Sequence, residues 1–107
     1  MLNVAVLVSG GGTNLQALLD SEARGENPNG RITLVVASKP GVYALERAAK
    51  AGVEGVVVRR KDYATSEAFD AALLETLKSH NIDLVVLAGF LSVLGPSVIE
   101  AYPRRIL

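Results

Sequence analysis

Three adjacent glycines, Gly10, Gly11 and Gly12, followed by Thr13 and Asn14, are the residues of this chain best suited to chemistry, and that chemistry is anion binding. The run Ser9-Gly10-Gly11-Gly12-Thr13-Asn14-Leu15 lies between an apolar strand pattern, Val4-Ala5-Val6-Leu7-Val8, and a helical one with Leu15, Leu18 and Leu19 on one face. Glycines let the backbone bend sharply and approach a ligand closely, and the helix that follows offers unpaired N–H groups at its positive end. A phosphate monoester is the natural guest. Each charged hydrogen bond from such an N–H contributes about 1.5–3 kcal/mol, and the helix dipole adds roughly 0.3–1 kcal/mol, so no lysine is required.

A dinucleotide is the competing guest, because Gly10-x-Gly12 begins the G-x-G-x-x-G fingerprint. Leu15 stands where its last glycine should allow close helix-to-strand contact, and Ala37-Ser38-Lys39-Pro40 follows the second strand without the acid that takes the ribose hydroxyls. No Gly-Lys-Ser/Thr closes the run, so it is not a P-loop. The expectation is therefore a compact phosphate rather than NAD(P). A nucleotide-binding module without chemistry, or an NAD(P)-linked half-domain, remains the alternative.

Other reactive residue types are placed away from this bend or carry plainer roles. His80, the only histidine, and Asp83 lead into the fourth strand from its amino end and are expected to be turn residues on the far side of the sheet. Arg59-Arg60-Lys61 follows the third strand at its ligand end, as either an anion receptor or a solvated loop. Glu46 and Arg47 are expected on a solvated helical face, and Phe69 and Tyr102 in the core.

The elements that position these groups alternate. Continuous β-branched runs at residues 4–8, 32–37, 56–58 and 84–88 predict strands covered on both faces, hence a parallel sheet. Helical spacing at 15–23, 43–51 and 67–79, and Gly95-Pro96 opening a helix over 96–102, supply the crossovers. Thr65 or Ser66 can cap the third helix, Gly52 ends the second, and Asn27-Pro28-Asn29-Gly30 is a turn. Right-handed crossovers give an α/β, doubly wound, mostly parallel sheet of Rossmann-like topology. Its predicted order is 3-2-1-4, with a fifth strand starting at Arg105-Ile106-Leu107 beside the fourth. Ligand loops then lie at 9–14, 38–42, 59–66 and 89–95.

Composition narrows the class. The 107 residues suit a single domain, and eleven Lys plus Arg balance eleven Asp plus Glu, so no global field favours nucleic acid or an anionic membrane. There is no cysteine and one histidine, which excludes thiol chemistry and makes a metal cluster unexpected. No apolar stretch approaches the ~20 residues of a membrane span, and Met1-Leu2-Asn3 lacks the basic start of a secretion signal. A cytoplasmic protein is expected.

Three segments together carry a resemblance: Val8-Ser9-Gly10-Gly11-Gly12-Thr13-Asn14-Leu15-Gln16, Leu45-Glu46-Arg47-Ala48, and Val85-Val86-Leu87-Ala88-Gly89-Phe90 followed by Leu94-Gly95-Pro96. The chain resembles the phosphoribosylglycinamide formyltransferase family over its whole length. The resemblance implies formyl transfer from 10-formyltetrahydrofolate, a cosubstrate, to the amine of glycinamide ribonucleotide in purine (IMP) biosynthesis, without a metal, by a monomer or homodimer. It assigns Gly12, Thr13 and Asn14 to the substrate phosphate and ribose. Leu91, Ser92, Val93 and Leu94 correspond to the segment whose backbone holds the pterin, with Leu87 and Phe90 near its apolar pocket. Ser66 aligns with an arginine that reaches folate in some members, and Ser92 with another basic residue; Arg59, Arg60 or Lys61 could substitute. The family's catalytic Asn, His and Asp follow the position of Leu107. The expectation is thus an amino-terminal, nucleotide-binding domain over 1–107, incomplete at its C-terminus, that has negligible transformylase activity alone. A formyltetrahydrofolate deformylase shares the fold and is a further alternative.

Overall fold

The computed structural model describes residues 1–26, 28–92 and 94–107. Four strands, β1 (Leu2–Val8), β2 (Gly30–Ala37), β3 (Glu54–Val57) and β4 (Leu84–Leu87), form one sheet in the order β3-β2-β1-β4, every pair parallel. The interleaved helices are α1 (Thr13–Ala23), α2 (Tyr43–Lys50), α3 (Ser66–Ser79) and α4 (Pro96–Ala101), with a 3₁₀ turn at Arg60–Asp62. The doubly wound sheet and its strand order are as the apolar runs and crossover rule predict. The expected fifth strand is also present in outline. Ile106 bridges Val85 in parallel, and Val85 N–H to Arg105 O, Leu107 N–H to Val85 O and Leu87 N–H to Leu107 O are each 2.8 Å.

The sheet buries a core on each face. Ala5, Leu7, Leu34, Val36 and Val85 pack under α3 and α4 against Phe69, Leu73, Val98 and Tyr102. Val4, Val6, Val8, Val35 and Ala37 pack under α1 and α2 against Leu15, Leu19, Ala44 and Ala48. Phe69 and Tyr102 are core residues, as expected, with Tyr63 edge-on to Phe69 at 6.2 Å. The β1–β2 register slips between Val4 and Ala5, so that Thr33 is the extra residue between Ile32 and Leu34. This bulge puts Ile32 and Leu34 in opposite cores although they are two residues apart.

Helix ends follow local chemistry. The Thr65 hydroxyl accepts from Ala68 N–H at 3.1 Å, so α3 begins at Ser66, one residue earlier than its apolar period indicated. Gly52, at φ +75°, ends α2 in the manner of a Schellman turn: Val53 N–H donates to Ala48 O at 2.8 Å and Gly52 N–H to Ala49 O at 3.1 Å. Of the turn assigned to residues 27–30, Asn27 lies outside the described residues.

The amino end of the sheet is tied by polar contacts remote from the ligand loops. Asn3 N–H donates to Asp83 Oδ2 at 2.8 Å, and His80, at the end of α3, meets Thr76 O through Nδ1 at 2.7 Å and Glu54 Oε2 through Nε2 at 2.9 Å. Both partners are acceptors, so the imidazolium satisfies both and a neutral ring only one. The Glu54 hydrogen bond first, then the Thr76 carbonyl, hold the His80 pKa above its ordinary 6.5. Stability from this pair is fully present below the unfolded value near 6.5 and is lost as pH rises through the folded value. Glu54 is exposed, so the loss is expected to be about 0.2–1 kcal/mol. Thermal melts at pH 5.5 and 8.5 should show that difference, and Glu54→Gln should reduce it to the Thr76 share and lower the His80 titration midpoint seen by NMR; an unchanged midpoint would disprove the linkage.

Candidate functional site

The carboxyl ends of all four strands open on one side, and the loops leaving them are held together by side chains that the sheet places there. β1 ends at Val8, and Ser9 turns inward: its Oγ accepts from Ser38 Oγ at 2.7 Å and from Leu91 N–H at 2.8 Å. One buried hydroxyl therefore joins the loops after β1, β2 and β4.

Beyond Ser9 the glycines bend the chain into α1. Gly12 sits at φ +81° as the residue before the helix, and a Cβ there would meet Ala44 Cβ at 2.8 Å and Ala44 Cα at 3.0 Å. Glycine is required twice over, by the left-handed backbone and by the approach of α2. At Gly10 and Gly11 a Cβ would meet nothing within 4 Å, so neither position owes its glycine to crowding. Thr13 and Asn14 are exposed and belong to the first turn of α1, which starts two residues earlier than its apolar spacing indicated. Its N-cap residue, Gly12, offers no side-chain cap and its first turn holds no acid, so among the described residues no carboxylate is bonded to its first N–H groups.

Arg47 corrects the expectation of a solvated face. Its Nε donates to Gly11 O at 2.8 Å and its Nη1 to Gln16 Oε1 at 3.1 Å, while the guanidinium lies over the Tyr43 ring at 4.7 Å. Glu46 is exposed, as expected. The spacing Tyr43 to Arg47 placed the pair on one helical face, but nothing local indicated that this face meets the glycine bend.

A cleft of about 470 Å³ opens next to Ser9 and Ser38, walled by Leu91 and Ser92. Lys39, Arg59, Arg60 and Lys61 line it, a concentration of cations in a chain of zero net charge. Arg59 Nε lies 3.9 Å from Asp62, and Arg60 Nη1 donates to Tyr63 O at 3.0 Å. Leu91 is 80% exposed and Leu87 is also uncovered, while Phe90 packs partly against the α3-side core. Leu94 is half-buried against the same core; Val93 lies outside the described residues. Ser66 is exposed and lines a separate cleft of about 150 Å³ with Asp70 and Gly95, so it is not brought together with Leu91 and Ser92 in one cavity.

Asp70 is a residue that sequence reasoning missed. It is only 3% exposed, and its carboxylate accepts from Gly95 N–H at 2.8 Å, Ser97 N–H at 2.9 Å and Val98 N–H at 3.4 Å. A side chain of α3 thus caps α4 and fixes the end of the loop leaving β4. Among the described residues no cluster of three or more His, Cys, Asp or Glu could hold a metal, and no helix is long and apolar enough to cross a membrane.

A doubly wound parallel sheet with a glycine bend after its first strand and exposed apolar side chains after its fourth defines a protein of the α/β class. A family model described as formyl transferase matches residues 2–107, and the chain belongs to that family. It is 43% identical over 105 residues to the trifunctional purine biosynthetic protein adenosine-3 of Chironomus tentans, covering 97% of this chain and 8% of that protein. It is 36% identical to the phosphoribosylglycinamide formyltransferase of Haemophilus influenzae, covering 100% of this chain and 50% of that protein. The crystal structure of glycinamide ribonucleotide transformylase 1 from Symbiobacterium toebii superposes with a TM-score of 0.94 at 42% identity, over 99% of this chain and 50% of that one. The chain therefore spans about half the length of the single-function relatives it matches.

Proposed function

We propose that residues 1–107 form one formyltransferase domain that supplies the phosphate loop and part of the folate wall of a phosphoribosylglycinamide formyltransferase. The reaction is transfer of a formyl group from 10-formyltetrahydrofolate to the amine of glycinamide ribonucleotide, in the cytoplasmic synthesis of purines. The observation that carries this reading is the bend at Gly12, φ +81°, that leads into the uncapped N-terminus of α1. Gly12, Thr13 and Asn14 take the ribonucleotide phosphate through main-chain N–H groups, with the Thr13 and Asn14 side chains beside the ribose.

The folate fits the second half of the site. Leu91 and Leu87 are exposed apolar side chains at the carboxyl end of β4, which suits a flat heteroaromatic ring. In this reading residues 91–94, Leu91, Ser92, Val93 and Leu94, line the pterin, Ser66 stands at the start of α3 without charge, and Lys39, Arg59, Arg60 and Lys61 face the carboxylates of the glutamate tail. Formyltetrahydrofolate supplies the one-carbon unit when bound. The residues of this chain bind and align the two substrates, which lowers the barrier by orientation. The catalytic Asn, His and Asp that the resemblance implies have no counterpart assigned among these 107 residues, and His80 is at the opposite end of the sheet, 2.9 Å from Glu54. The 107-residue polypeptide is accordingly expected to bind without turnover.

Calorimetric titration tests the reading. Glycinamide ribonucleotide should bind saturably and NADH should not. Tight NADH binding with no uptake of the ribonucleotide would replace this proposal with the dinucleotide alternative.

A further inference from the structure

Arg47 has no part in the phosphate site as proposed above, yet among the described residues it is the one cation bonded to that bend. Its two donors grip two points of the same turn: Gly11 O at 2.8 Å and the side chain of Gln16 at 3.1 Å, whose own N–H closes the first helical turn on Gly12 O at 2.8 Å. Gln16 passes its amide on to Asp20 Oδ1 at 2.9 Å, which fixes its flip. On the other side the guanidinium is held over Tyr43 at 4.7 Å, and the Tyr43 hydroxyl accepts from Lys50 Nζ at 3.2 Å. The side chain is therefore held in place from three directions.

In a trans peptide the C=O and the following N–H point in opposite directions. Because Gly11 O is aimed at Arg47 on α2, the N–H of Gly12, in the same peptide unit, is aimed away from α2. At Gly10 and Gly11 a Cβ would meet nothing within 4 Å, so side-chain crowding does not settle that peptide plane. Among the described residues no carboxylate lies within 4 Å of the guanidinium, so its charge is not cancelled locally.

We propose that Arg47 is the positioning residue of the phosphate loop: by bonding Gly11 O and Gln16 it sets the orientation of the Gly12 N–H, and it leaves a net positive charge behind an incoming phosphate monoester. The inference rests on the reading of residues 9–14 as the phosphate site. It assigns the anion's electrostatic attraction to α2 rather than to a lysine in the loop, and it makes Tyr43 the platform on which that charge is oriented.

The test uses the 107-residue protein and inorganic phosphate. Arg47→Met should weaken phosphate binding about tenfold, shift the Gly12 amide resonance in the ligand-free protein, and change the melting temperature by no more than a few degrees. Arg47→Lys, which keeps the charge but only one donor nitrogen and no planar fork, should recover part of the affinity and part of the shift. Gln16→Leu, which removes one point of the grip and leaves Arg47 in place, covers the case in which Arg47→Met fails to fold; it should displace the Gly12 resonance less. Phosphate affinity within twofold of the parent together with an unmoved Gly12 resonance overturns the inference. If the parent protein takes up no phosphate, the site reading fails, and the ligand-free Gly12 resonance still decides whether Arg47 orients the peptide.

Discussion

Gly12→Ala should destabilise the protein by about 2–5 kcal/mol, combining roughly 1–2 kcal/mol for an L-residue in the left-handed region with about 1–3 kcal/mol for overpacking. The new Cβ would sit 2.8 Å from Ala44 Cβ and 3.0 Å from Ala44 Cα, and the second of these is backbone that cannot swing aside. Relief requires α2 to withdraw from the bend, which would carry Arg47 off Gly11 O. The variant should therefore lose phosphate-monoester binding as well as stability. Against a typical total of 5–15 kcal/mol, Gly12→Val should leave little folded protein. Gly10→Ala is the internal control, with free space for its Cβ and no positive φ; it should stay within about 0.5 kcal/mol of the parent. Urea denaturation and calorimetric titration with ribose 5-phosphate measure both effects. Equal stability and affinity for the Gly12→Ala and Gly10→Ala variants would contradict the account of this bend.

Asp70→Ala should cost about 2–3 kcal/mol, since each buried donor left without an acceptor costs roughly 1–3 kcal/mol, and the Val98 bond is buried while those of Gly95 and Ser97 are partly so. Asp70→Asn retains one acceptor oxygen and should lose about half as much. Gly95 couples to the same carboxylate: a Cβ at that position would meet Asp70 Cγ and Oδ2 at 2.7 Å. Gly95→Ala should thus be destabilising alone and much less so on top of Asp70→Ala, giving a clear interaction energy in a double-mutant cycle. Hydrogen exchange at residues 95–98 should accelerate in Asp70→Ala while exchange in β1 does not. Additive losses in the cycle would show that the carboxylate and Gly95 act independently.

What could be read from the amino acids follows from how local each signal is. The four strands and their order came from continuous β-branched runs and from crossover handedness, both set by short stretches of chain. The glycine bend was legible because three glycines between a strand and a helix are a local signature, although Thr13 and Asn14 prove to be helical because Gly12, not Asn14, is the residue that enters α1. The sequence points to a solvated Arg47 because its partners, Gly11 and Gln16, are outside α2 and meet it only when α2 packs across the bend. Asp70 was not singled out for the same reason: its acceptor role is defined by N–H groups at least 25 residues away. The 3₁₀ turn at Arg60–Asp62 carries no apolar period and left no pattern to find.

The Ser9 hydroxyl, accepting at 2.7 Å from one loop and at 2.8 Å from another, has a thermodynamic corollary. Were the loops after β1 and β4 each to take a ligand, any effect of the first on the affinity for the second would be matched by an equal effect in return, because heterotropic linkage is reciprocal. A displacement of that one oxygen would be felt in all three loops at once.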